Sequence, residues 1–169
     1  MTLSCSPRSD GKGLSVQNEG GKLVAVLTDH GAYGPFELCD PSGALLLRGR
    51  KRHSFMYSRW WDAADEEGVR QLTMRLGQFR TKRADIVLAD ERELSIQAVG
   101  KPPAGRILAG DGGRTLAEIT DAGDGKLQIA AEELSTIELL GAVGLWRLAH
   151  SYSSAAGQAG QAANASAGF

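Results

Sequence analysis

Cysteine is nearly absent from this chain. Cys5 and Cys39 are the whole complement, too few for a disulfide framework and without the paired spacing of a zinc site. No apolar run approaches the length of about 18 residues needed to cross a membrane as a helix. The opening Met-Thr-Leu-Ser-Cys-Ser-Pro-Arg has no apolar core of a secretory leader. Net charge is −1, which argues against a protein that coats nucleic acid. Catalytic signatures are missing too. There is no Gly-x-Ser-x-Gly elbow, no Walker loop and no Gly-x-Gly-x-x-Gly. His30, His53 and His150 lie far apart, with no metal-ligand spacing between them. No metal and no cofactor is expected. These absences leave a soluble, cytoplasmic globular domain, and 169 residues suffice for one real core.

Glycine is what the chain has in quantity, 22 residues against 5 prolines. It clusters with Asp and Asn at Asn18–Gly21, Asp40–Gly43, Asp65–Gly68, Asp111–Gly113 and Asp121–Gly125. Gly supplies the positive φ of tight turns and Asx side chains bond their own backbone there. Eleven strand-like runs lie between these points: 13–17, 22–28, 35–39, 44–50, 54–61, 70–76, 85–89, 93–99, 105–109, 114–120 and 126–131. Several alternate strictly. Leu72, Met74 and Leu76 share one face, as do Leu94, Ile96 and Ala98. Period-two alternation puts one face in a core and one in water. Short alternating strands at even spacing predict a meandering antiparallel barrel or sandwich.

The period changes after residue 132. Residues 133–152 read as one helix, with acidic residues early and Arg147 and His150 late, as the macrodipole favours. Its middle is uncharged and apolar on nearly every azimuth, through Leu139, Leu140, Val143, Leu145 and Trp146. Such a helix is buried on all sides. Gly141, Ala142 and Gly144 fit a helix that other groups approach closely. Residues 153–169, small and chargeless, are expected to be disordered, and residues 1–12 to be flexible. One domain, 13–152, remains.

Two segments then point to a family. Phe36 to Arg52 runs as strand, Asp-x-x-Gly turn, strand and basic cluster. Trp60 to Leu72 looks like a second copy of that unit, and Asp121 to Ile129 like a further one. With the apolar helix near the C-terminal end, the pattern over residues 13–152 resembles the tubby C-terminal-like superfamily, in its LURP-one-related and phospholipid-scramblase-like branch. The resemblance implies a closed antiparallel β-barrel of about 12 strands around the hydrophobic helix. It also implies a non-enzymatic protein, with phosphoinositide binding in the tubby branch and membranes in the scramblase branch.

Charge supplies the candidate site. Residues 1–83 carry 13 Lys and Arg against 9 Asp and Glu, whereas residues 84–169 carry 6 against 11. The basic excess concentrates at Arg48, Arg50, Lys51 and Arg52 and at Arg80, Lys82 and Arg83. Arg offers bidentate donors and Lys a point charge for an anionic headgroup, and such clusters draw a domain to an anionic membrane. Equally, they keep barrel rims soluble. Trp60 and Trp61 are adjacent, so a regular strand turns only one of them inward. The other is exposed for a membrane or protein partner, or is covered by a bulge or loop. The expected function is a binding or scaffold domain, engaging an anionic lipid, peripherally at the membrane, or a protein partner. Two alternatives stand beside it. One is an enzyme whose site assembles from distant residues such as His30, His53, Asp62 and Asp65. The other is a lipocalin-type carrier of a small hydrophobic ligand, whose cavity the helix would occupy.

Overall fold

A computed structural model describes the backbone of residues 1–166 except 32, 53–58, 77–81 and 111–112, and side chains through residue 151. Twelve strands follow one another: β1 (Thr2–Pro7), β2 (Gly13–Asn18), β3 (Leu23–Asp29), β4 (Phe36–Cys39), β5 (Leu45–Lys51) and β6 (Trp60–Ala64). The series continues with β7 (Arg70–Leu76), β8 (Arg83–Leu88), β9 (Glu93–Ala98), β10 (Gly105–Ala109), β11 (Thr115–Gly123) and β12 (Lys126–Ala131). Each pairs antiparallel with its sequence neighbours, and β1 pairs with β12 to close the barrel. Helix α1 (Thr136–Ser166) completes the chain.

The twelfth strand is β1, within the segment expected to be flexible. Its alternation is short but clear: Leu3 and Cys5 are buried, whereas Thr2, Ser4 and Ser6 are not. Closure also uses the backbone of Met1, whose amino group donates to the Ala131 carbonyl at 2.9 Å while its carbonyl accepts from the Ala131 amide. Burial pushes the Cys5 thiol up to about 11, so it serves as a small core side chain.

Three hairpins repeat one turn. In Asn18–Gly21, Asp40–Gly43 and Asp65–Gly68, the glycine amide donates to the carbonyl of the Asx residue. The Asx Oδ1 accepts from the amide four residues on, at Lys22, Ala44 and Val69. Gly21, Gly43 and Gly68 have φ of 74°, 93° and 82°, a region in which L side chains are strained. The Asp121 turn is different. There Gly123 donates to the Asp121 side chain, and the hairpin tightens through a bulge between Asp121 and Gly123. The repeat read from sequence therefore covers the two earlier segments, plus Asn18, and not the third.

The up-and-down order sorts the connections to two ends. At one end the described connecting residues include Arg8, Lys12, Arg52, Arg59, Lys82 and Lys101, against Asp10 and Asp124. At the other stand Asp65, Glu66, Glu67, Asp90, Glu91, Glu132 and Glu133, among others, against Lys22, Arg92 and Arg114. The two ends of the barrel thus differ in charge, each drawing on both halves of the chain.

The helix enters at the acidic end. Ser135 and Glu138 form a reciprocal cap: the Glu138 amide donates to Ser135 Oγ, and the Ser135 amide to Glu138 Oε2. Arg92 pairs with Glu138 there, and Arg147 pairs with Asp29 at 2.8 Å where the helix leaves. Residues 136–150 advance about 22 Å, close to the length of a six-residue strand. Leu139, Leu140, Val143, Leu145 and Trp146 are buried to 1% exposure or less. The helix therefore fills the space in which a lipocalin-type carrier would hold its ligand. It continues through Ser166 rather than ending near 152. The tail expected to be disordered is rich in alanine, the strongest helix former, and extends the nucleated helix.

The helix does not run along the barrel axis. It lies nearest β4 to β8, where small residues admit it. The Phe36 ring sits between Gly49 and Gly144: a methyl at either would lie 1.9 or 2.7 Å from it. A methyl at Gly141 would meet Leu47 and Leu72 at 2.8 Å. Trp146, five residues past Gly141 and so about 140° round the helix, faces the opposite side. There its bulk spans the wider gap.

Candidate functional site

The outer face of β5 to β8 carries the candidate site, and strand alternation puts it there. On β5, Leu47 and Gly49 are buried while Arg48 and Arg50 are exposed. On β6, Trp61 and Ala63 point in, leaving Trp60 and Asp62 outside. Trp61 is 3% exposed, so Trp60 is the outward member of the pair. On β7, Leu72, Met74 and Leu76 are buried, and Thr73 and Arg75 face out. On β8, Arg83, Asp85 and Val87 do the same.

Register sets these side chains in rows. Trp60 lies opposite Arg75 and Arg75 opposite Asp85, while the Arg52 amide bonds the Trp60 carbonyl from the other side. The Arg52 and Arg75 guanidinium carbons each sit 5.3 Å from the Trp60 ring centroid. Both contacts are within cation–π range. The next row runs Arg50, Asp62, Thr73, Val87 and Glu93.

The cations fall into two groups. Arg48 is taken by Glu37 at 2.6 Å, a carboxylate that also meets His30 Nε2 at 3.0 Å. Hydrogen bonds from Arg48 and then His30 hold Glu37 below the ordinary range. Arg52 forms a fork on Asp62, 2.7 Å to each oxygen, and Thr73 donates to the same carboxylate at 2.8 Å. Burial works against the Asp62 anion, yet its bonds from Arg52 and Thr73 outweigh that and lower its pKa. Arg83 approaches Asp85 at 3.4 Å. Arg50, Arg75 and Lys82 form no ion pair and no side-chain hydrogen bond among the described residues. Their donors are open to an external anion.

Of the residues selected from sequence, Arg50, Arg52, Lys82, Arg83 and Trp60 come together on this wall or its basic edge. Arg48 lies on the same face but its guanidinium is committed to Glu37. Lys51 sits at an inward position on the rim, its Nζ 5.9 Å from the Trp61 ring centroid. Arg80 lies outside the described residues. Arg75 was missed. Its outward position follows from the alternation of β7, but its pairing with Trp60 depends on a register that the sequence does not carry.

The residues considered for a dispersed catalytic site have other partners. His30 bonds Glu37, Asp62 is occupied by Arg52 and Thr73, and Asp65 accepts from Val69 and Gln71. His53 lies outside the described residues. Among the described residues, no group of three or more His, Cys, Asp or Glu side chains is placed to hold a metal ion. Among the described residues, no helix is long and apolar enough to cross a membrane.

A groove of about 540 Å³ opens on this wall, lined by Trp60, Thr73, Arg75, Arg83, Val87 and Glu93 among others. Arg75, Asp85 and Arg83 stand together at one end, with Arg83 3.4 Å from Asp85, and Glu93 stands across from Val87 at the other.

No protein-family model matches the chain, and no curated protein does. Among solved structures it is similar to the X-ray structure of the Arabidopsis thaliana protein AT5G01750. The TM-score is 0.62 and the identity 13%, over 86% of this chain and 90% of that one. The two chains share a fold, and the closed barrel of twelve strands around a C-terminal helix fits the tubby-like fold that the resemblance implies.

Proposed function

We propose that the protein is a non-enzymatic binding domain of the LURP-one-related, scramblase-like kind, which engages an anionic ligand through its β5–β8 wall and basic end. Lipid headgroups at a membrane surface are the favoured source of that ligand. The observation that carries this reading is the set of uncompensated cations, Arg75 over the outward Trp60, Arg50 in the next row of the wall and Lys82 at its basic edge. Guanidinium groups without a carboxylate partner bind phosphate in bidentate fashion. An interfacial Trp adds an amphipathic contact. The connections at the same end add long-range attraction, at about 1 kcal/mol per basic residue near an anionic surface.

Vesicle co-sedimentation tests it. Vesicles containing phosphoinositide should pull down the protein at low salt, whereas phosphatidylcholine vesicles should not, and raised salt should release it. Equal partitioning to both kinds of vesicle would remove the reading.

A further inference from the structure

The wall groove is not uniformly basic, and its charge layout selects among anions. Arg75 provides an unpaired guanidinium at one end, held over Trp60. Asp85 lies directly across from Arg75, and Glu93 directly across from Val87. Glu93 makes no ion pair or hydrogen bond through its side chain among the described residues. Val87, beside Glu93 and two residues along β8 from Asp85, is 40% exposed and gives the groove lining an apolar side chain. From strand spacing and rise, Arg75 and Glu93 are about 12 Å apart. An anion seated on Arg75 has room for an apolar body along Trp60 and Val87. Asp85 is drawn to Arg83 at 3.4 Å, so a second or third anionic group on the same ligand would face Glu93, and like charges in a groove partly shielded from water repel.

We propose that this groove binds an amphiphilic monoanion: one sulfonate, phosphate ester or carboxylate on Arg75, with an aromatic or short apolar body over Trp60 and Val87. The inference rests on the reading of this wall as an anion site and narrows it, since polyanions are disfavoured within the groove. The volume is in the range of small-molecule sites. Trp60, with the Arg75 guanidinium carbon 5.3 Å from its ring centroid, offers an aromatic side chain against which an arene packs beside that cation.

Three naphthalene probes with one body and different charge separate the terms: 2-naphthol, naphthalene-2-sulfonate and naphthalene-1,3,6-trisulfonate. Amide shifts in a two-dimensional NMR titration of the full chain report both site and affinity. The monosulfonate should bind more tightly than either of the others and move the amides of Thr73 to Arg75 and Arg83 to Val87. Arg75→Ala should weaken it about tenfold, the loss expected for one charge-assisted contact, while the dispersed spectrum of the folded protein persists. Glu93→Gln should selectively improve the trisulfonate. Tighter binding of the trisulfonate to the wild type would overturn the inference. So would shifts confined to other strands, or an unchanged affinity in Arg75→Ala. If anionic vesicles capture the protein while the monosulfonate does not bind, the groove inference fails and the anion-binding reading stands. If neither binds, both fail.

Discussion

The two sides of the barrel solve different problems. Along β4 to β8 the helix presses close, and the inner surface is cleared for it by Gly49, Gly141 and Gly144. Along the opposite side, Trp146 fills the distance. The outer surfaces differ as well. Outward positions on β1, β2 and β12 are Thr2, Ser4, Ser6, Ser15, Gln17, Gln128 and Ala130, with Lys126 at the start of β12 as the charged group among them. The β5–β8 face carries Arg48, Arg50, Arg75, Arg83 and Trp60. The wall with the candidate site is therefore the wall the helix supports from inside. A sheet braced by close-packed groups holds its outward side chains in fixed register, and preorganised donors lose less on binding.

Substitutions probe this difference in order of expected effect. The largest should come from the helix itself. Leu140→Asp or Val143→Asp buries an unpaired carboxylate among residues with 1% exposure or less, and should unfold the domain. A variant melting like the wild type by circular dichroism would refute the central-helix arrangement. Next, Trp146→Ala opens a void on the far side and should cost about 3–5 kcal/mol, read from chemical denaturation. On the near side the sensitivity reverses, because growth rather than loss is the injury. Gly49→Ala drives a methyl into the Phe36 ring, which Gly144 backs, and should cost about 1–3 kcal/mol by overpacking. If Gly49→Ala is neutral while Trp146→Ala is costly, the close approach of helix and β4–β5 is not what limits that wall.

The smallest effect concerns the ion pairs outside. Asp62→Asn should cost about 1 kcal/mol, since Arg52 is partly exposed and solvent screens the pair. Its pH dependence is the sharper reading. A carboxylate held below its unfolded value of 3.8 contributes stability that is complete above that value and lost as pH falls through the folded pKa. The wild type should therefore lose more stability than Asp62→Asn on acidification below about pH 5. Parallel acid limbs would mean that Asp62 gains nothing from Arg52 and Thr73.

Much of this architecture is legible in the amino-acid order. Alternation and Asx-Gly turns mark ten strands to within a few residues, and the uncharged centre of the helix implies burial inside them; the run 54–61 meets β6 only at Trp60 and Trp61, and its residues 54–58 lie outside the described residues. β1 escapes because Cys5 and the serines around it carry little strand propensity, and its pairing with β2 and β12 stabilises it. The helix end at Ser166 escapes because small polar composition reads as disorder, while the alanines within it continue a helix already nucleated by the barrel. The candidate site is legible as a set of residue types but not as a selection among them. Arg48 and Arg50 differ by two positions on one strand. Glu37 on the adjacent strand, across a hairpin, occupies the first and leaves the second open. Arg75 reaches Trp60 only through the β6–β7 register.

The central claim is that anion binding belongs to the braced wall and not to the barrel surface at large. One comparison tests it directly: capture by phosphoinositide-containing vesicles of Arg50→Ala/Arg75→Ala against Arg106→Ala, whose arginine pairs with Glu118 across β10 and β11, outside that wall. The account predicts that the first variant loses most of its vesicle-bound fraction, while Arg106→Ala sediments like the wild type. Equal losses in the two, with both variants folded, would contradict it.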